Sequence, residues 1–191
     1  MRGIRHFLLW TVLAAGAGVA LVAAALASSG AQRASFLRSN RISGACGVDR
    51  WKVKTLQDRP HLLSVRKATI HYLVTRPAPS SLPDTRLPFE RHIFAVVAAV
   101  VLVRPEADSD LHLVLQRGGI HMIAEAPAPY CDSRATRYRR RQMRIARNHV
   151  RLCARARVTG VAFFDFDHGQ TGVAPNAIEL HPILGFRCLS A

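Results

Sequence analysis

Acidic residues are scarce: 12 Asp and Glu stand against 27 Lys and Arg in 191 residues, a formal net charge of +15. The excess is concentrated, because ten arginines and no acid lie between Arg134 and Arg157. Familiar motifs are missing as well. No Cys-x-x-Cys pair occurs, which argues against a zinc ribbon or a dithiol redox centre. There is no Gly-x-Ser-x-Gly elbow, no His-Glu-x-x-His helix, no P-loop and no dinucleotide fingerprint, so the common hydrolase, metalloprotease and nucleotide-binding signatures are excluded. Tyr138 is the sole aromatic of the basic segment, too few for a base-stacking platform.

The amino-terminal end carries an export pattern. "MRGIRH" is a basic head, followed by an uncharged apolar run from Phe7 to Ala27. Ala25-Leu26-Ala27 satisfies the small-x-small cleavage rule, while the 21 residues of the run suffice to cross a bilayer. Residues 1–27 are therefore expected to be a cleaved signal peptide or a retained membrane anchor, and Arg33, Arg38 and Arg41 are compatible with both. Either way the rest of the chain is expected outside the cytoplasm: in the periplasm, in the cell envelope or secreted. In that compartment Cys46, Cys131, Cys153 and Cys188, an even set, read as two disulfides. The count leaves all three pairings open.

Residues 28–45 are polar and rich in Gly and Ser, as expected of a tether. Residues 46–88 read as an extension ending in a linker. Trp51, Val53 and Thr55 alternate with Lys52 and Lys54, predicting a short strand; "VRKATIHYLVTR" predicts a second extended segment; "PAPSSLPDTRLP" has four prolines and excludes regular structure. Residues 89–191 carry the main domain. "HIFAVVAAVVLV" and "DLHLVLQ" predict two strands, "RGG" a turn, and "IHMIAEAPAP" a third strand. The span 133–156 predicts a helix with Tyr138, Ile145, Leu152 and Ala156 near one face. "RVTGVAFFDF" and "NAIELHPILGFR" predict the last two strands. No internal repeat is present. The resulting order, β-β-β-α-β-β, predicts a mainly β protein with one helix (α+β), an OB-like five-stranded barrel with an N-terminal extension; an open α+β sandwich is the alternative.

Three blocks, "CGVDRWKVKTLQD", "EADSDLHLVLQ…MIAEAPAPYC" and "VTGVAFFDFDHGQTGVAPNAIELHPIL", resemble a family of uncharacterised bacterial proteins that share them in this order. The resemblance spans Cys46 to about Phe186 and implies no activity. Cys46 and Cys131 lie within the shared blocks and Cys153 and Cys188 do not, so it implies the pairings Cys46–Cys131 and Cys153–Cys188. "IELHPIL" is also similar to the last strand of small OB-type proteins, relatives of thermonucleases among them.

Chemistry-bearing residues concentrate in "EADSDLHLVL". If it is extended from Glu106, then Glu106, Asp108, Asp110 and His112 share a face. Glu125 and His121 lie on the next strand, and Asp165, Asp167, His168, Glu179 and His181 come from the last two. Carboxylates and imidazoles converging at a barrel mouth can hold a divalent cation. The ligand set expected is Asp110, His112, Glu125, His168 and His181. The plain alternative is a solvated strand entrance, and the spacing is not that of an EF-hand. "DHGQTGVAPN" reads as a tight connection between the last two strands, or as a loop offering backbone N–H groups to an anion. Arg137, Arg141 and Arg144 are the candidate contacts for a polyanion: nucleic acid, anionic lipid or acidic polysaccharide. No organic cofactor is expected, although a divalent metal fits. Two functions follow: a binding or structural module for an anionic oligomer or envelope partner, without chemistry, or a metal-assisted, nuclease-like phosphodiester hydrolase.

Overall fold

A computed structural model describes residues 45–190. The signal or anchor expected at 1–27, and the tether except for Ala45, lie outside the described residues. The strands are β1 (Val65–Ala68), β2 (Ile93–Pro105), β3 (Leu111–Arg117), β4 (Ile120–Ala126), β5 (Cys153–Phe164) and β6 (Ile178–Ser190). Helices are α1 (Trp51–Lys54), α2 (Ile70–Val74) and α3 (Arg137–His149), with a 3-10 turn at Pro88–Arg91. β2, β3 and β4 form an antiparallel meander, β4 pairs in parallel with β6, β6 pairs with β5, and β5 returns to β2. Five strands thus close a barrel, with α3 between its third and fourth strands, the OB arrangement. Short β1 adds in parallel to the outside of β2.

The apolar patterning accounts for this closure. Thirteen-residue β2 serves three neighbours, and its register shifts around Val100 let it bend from β5 toward β3. The β3–β4 hairpin turns on Gly118 and Gly119, whose φ values of 58° and 76° need residues without a Cβ. Leu113, Leu115, Met122, Leu180 and Ile183 fill the interior with Phe94 and Val96. A smaller cluster packs Met143 of α3 against Val161 and Leu184.

Cys46 is bonded to Cys131 and Cys153 to Cys188, which fits an oxidising environment. Among the described residues no helix is long and apolar enough to cross a membrane.

Four local expectations are corrected. Residues 51–54 are helical, not extended: Arg50 and Lys54, four residues apart, both reach inward, and Arg50 anchors the turn by a bidentate pair with Glu90 and a 2.6 Å bond to the Phe164 carbonyl. Such long-range anchors override a five-residue alternation. Residues 106–110 form a turn, closed by Glu106 N–H donating to the Asp110 carbonyl at 3.0 Å, with Ser109 at φ 74°. α3 ends at His149, and its buried residues are Met143 and Ala146. Tyr138 and Ile145 lie off that face and are exposed, and Leu152 is exposed beyond the helix, where Cys153 begins β5. The segment "VRKATIHYLVTR" divides into β1 and α2, with the Thr69 side chain capping the helix.

Candidate functional site

The site is built on the sheet face opposite the interior. His112 on β3 is registered against Glu125 on β4, and Ile123 on β4 against Glu179 on β6. Period-two alternation then places His112, Glu125, Glu179 and His181 together, while Leu113, Ala124 and Leu180 point into the core. The β2–β3 turn brings Glu106, Asp108 and Asp110. α1 brings Lys54, and the end of β5 brings Asp165. Gly172 lets the β5–β6 connection lie on β3: a Cβ there would stand 2.7 Å from a Val114 methyl. That close approach puts the Thr171 carbonyl 2.9 Å from His112 Nε2.

Both imidazoles are buried and surrounded by acceptors. His112 Nδ1 lies 2.9 Å from Glu125 Oε1 and 3.3 Å from Glu106 Oε1. His181 Nδ1 lies 3.1 Å from both Glu125 Oε2 and Glu179 Oε1. Its Nε2 stands 3.2 Å from Asp110 Oδ2, but the angles make no hydrogen bond, and both Asp110 oxygens and Nε2 lack a hydrogen-bond partner among the described residues. Lys54 Nζ is 2.8 Å from Asp165 Oδ2 and 3.9 Å from Glu125 Oε2. Arg147 of α3 closes the edge by donating to the Ser109 and Ala126 carbonyls.

Four buried carboxylates, Asp110, Glu125, Asp165 and Glu179, face one buried ammonium. Uncompensated buried charge is costly, so the cluster demands further positive charge, as protons or as metal. The titration behaviour reflects this demand. Burial pushes Glu179 up to about 7, aided by Glu125 and Asp165. Burial would also raise Glu125, yet hydrogen bonds from His112 and His181 hold it far below the usual carboxylate range. Burial alone would lower His112 and His181; their carboxylate partners, and for His112 the Thr171 carbonyl, reverse this and raise both. Lys54 is likewise raised, the attraction of Glu179, Asp165 and Glu125 exceeding the effect of burial. Glu106 and Asp108 are raised, first by burial.

A cavity of about 280 Å³ opens above this cluster, lined by Trp51, Lys54, Glu106, Asp108, Glu125 and Asp165 among others. It is bounded by the β2–β3 turn and the β5–β6 connection, the loops that border ligand sites in OB barrels. Its lining is acidic, which suits a cation and repels an unaccompanied polyanion.

Of the five ligands expected, Asp110, His112, Glu125 and His181 converge. Two ligand groups, Glu106–His112–Glu125 and Asp110–Glu125–His181, each have donor atoms within 4.8 Å of one another. His168 belongs to neither; half exposed at the cavity rim, it is 3.9 Å from Asp49 Oδ2. Its loop is a turn held by Gly169 N–H to Asp167 and His168 N–H to Gln170, so those amides are turned inward on the loop itself. His121 pairs with Gln116 near the hairpin turn, away from the cluster. Arg137, Arg141 and Arg144 are all exposed on α3. The expected ligand set omitted Lys54, Glu106, Asp165 and Glu179. For Asp165 and Glu179 a signal existed: each is an acid enclosed by apolar neighbours in "FFDF" and "AIELHP". Nothing local separates Lys54 from exposed Lys52.

Neither a family profile nor a curated protein matches the chain. Similar solved structures include the asparaginyl-tRNA synthetase of Entamoeba histolytica, at 8% identity over 67% of this chain and 24% of that one, with a TM-score of 0.38. The aspartyl-tRNA synthetase of the same organism is similar at 15% identity over 69% of this chain and 26% of that one, with a TM-score of 0.37. The chain thus spans about a quarter of the length of these synthetases.

Proposed function

We propose that the protein is an extracytoplasmic binding module of the uncharacterised bacterial family it resembles, whose loop-face pocket holds a divalent cation at Glu106, His112 and Glu125. The observation that carries this reading is the wiring of His112. With Nε2–H donating to the Thr171 carbonyl, Nδ1 can exchange its proton for a cation shared with the two carboxylate oxygens that stand 2.9 and 3.3 Å from it. Ligating histidines are oriented in this way, through a carbonyl on the far nitrogen, and three negative donors converging on one point require a cation. The oxygen and imidazole donors suit zinc or manganese. Titration of the chelator-stripped full chain with zinc, manganese and calcium tests the reading. Saturable binding of zinc or manganese that His112→Gln abolishes supports it; no binding by any of the three refutes it. Exposed Arg137, Arg141 and Arg144 are the contacts for an anionic oligomer or envelope partner.

A second reading, metal-assisted phosphodiester hydrolysis, is favoured by the cavity itself. About 280 Å³ of space adjoins the ligands, with Lys54 in its wall. The ion would supply Lewis acidity, Glu106 and Glu125 would hold it, and Lys54, fixed by Asp165, would place positive charge beside a phosphoryl oxygen. Metal-dependent cleavage of bis(p-nitrophenyl) phosphate, lost in Lys54→Gln while metal binding persists, is the outcome that selects this reading over binding alone.

A further inference from the structure

We propose that Glu125 bridges two divalent cations, the second held by Asp110 and His181 beside the one assigned to Glu106 and His112. The inference rests on the cation-pocket reading and extends it from a single ion to a carboxylate-bridged pair.

The two oxygens of Glu125 serve different neighbours. Oε1 faces His112 Nδ1 at 2.9 Å and Oε2 faces His181 Nδ1 at 3.1 Å. The donor atoms of Asp110, Glu125 and His181 lie within 4.8 Å of one another, and all three residues are buried. The independent observation is what remains unpartnered: Asp110 Oδ1, Asp110 Oδ2 and His181 Nε2 have no hydrogen-bond partner among the described residues. Asp110 and His181 each have a relative exposure of 0%. Buried polar groups are ordinarily satisfied, and a buried carboxylate with both oxygens orphaned is costly.

A proton does not resolve this arrangement. Protonated Nε2 would aim at one Asp110 oxygen in poor geometry and leave the other orphaned. A cation held among Asp110, Glu125 and His181, whose donor atoms lie within 4.8 Å of one another, engages all three residues. Each ion then has one imidazole, one terminal carboxylate and a share of Glu125. This is the composition of paired sites for manganese, zinc or ferrous iron, in which the ions sit about 3.5–4 Å apart. Lys54 and Asp165 flank the pair on the cavity side.

The test uses the full chain with its disulfides intact, stripped by chelator and equilibrated with manganese. Metal is counted by equilibrium dialysis, and coupling is read by low-temperature electron paramagnetic resonance. The expected result is two ions per chain with an exchange-coupled spectrum, and one ion with an uncoupled mononuclear spectrum in Asp110→Asn. The parent spectrum decides the matter even if that variant fails to fold. One ion per chain, or two without coupling, overturns the bridged pair and leaves the single-cation reading standing; no bound ion overturns both.

Discussion

Lys54 and Arg141 are both cations on helical segments, but the first is buried 2.8 Å from Asp165 and the second is solvated in a stretch that contains no acid. The difference separates two uses of charge. Around α1, Arg50 and Lys54 have been taken out of water and fixed by named partners, so removing either leaves an opposite charge stranded. On α3, exposed Arg137, Arg141 and Arg144 are tied to little, so their removal changes what the surface attracts and not how the chain folds.

The contrast is sharpest at Arg50. Its guanidinium pairs with Glu90 at 2.7 and 2.8 Å, and Glu90 also accepts from the Phe164 N–H at 3.0 Å. Glu90→Ala strands a buried guanidinium and is expected to lower unfolding stability by about 3–5 kcal/mol, read from the urea midpoint. A loss comparable to that of an exposed Arg→Gln change would break the distinction between the regions.

Next in size is the tie that holds the buried region together. Replacing Cys46 and Cys131 jointly by serine opens a loop of 85 residues and is expected to cost roughly 2–4 kcal/mol. In the same variant, metal affinity measured by titration should fall, because Gly47, Val48, Asp49, Trp51 and Lys54 line the cavity. Unchanged affinity would detach the extension from the site.

A smaller effect reads the pocket through pH. Glu179 is raised from 4.5 to about 7, so the folded state keeps a proton that the unfolded state has already lost. Its contribution to stability is complete below pH 4.5 and is lost as pH rises through about 7. Metal-free protein should therefore lose stability over that interval with a slope approaching roughly 1.4 kcal/mol per pH unit from this group. Denaturation across the interval should give a flatter profile for Glu179→Gln. Depressed Glu125 acts in the opposite sense, its contribution disappearing on acidification below the ordinary carboxylate range.

Smallest in its effect on the fold is the triple change of Arg137, Arg141 and Arg144 to Gln. Melting temperature should stay unchanged, while affinity for a polyanion such as heparin should fall and its dependence on salt should flatten. Retained affinity with the same salt slope would place the anion contact elsewhere.

What the sequence disclosed follows the same division. The barrel was legible because β2 to β6 bury a periodic apolar set, and His112 opposite Glu125 followed from a hairpin register fixed by Gly118 and Gly119. His181 followed from the same strand logic; Asp110 was expected from it too, but reaches the site from the β2–β3 turn instead. Lys54 did not, because a one-turn helix held by Arg50 and the Cys46–Cys131 bond depends on contacts far apart in the chain. The buried side of α3 was also hidden: small Ala146 and Met143 pack beneath it, whereas Tyr138 and Ile145, the more conspicuous apolar residues, stand in water.

The Cys46–Cys131 bond has a consequence for chronology. One wall of the cavity, Gly47 to Trp51, is joined to the far side of β4 by a link that closes only where thiols oxidise. Until then the wall keeps the Arg50 pair with Glu90 and the Trp51 Nε1–H bond to the Cys131 carbonyl, but not its covalent tie. The wall's completion is thus a dated event in the life of the chain, and on the proposed cation reading the ions enclosed would be those abundant where oxidation takes place.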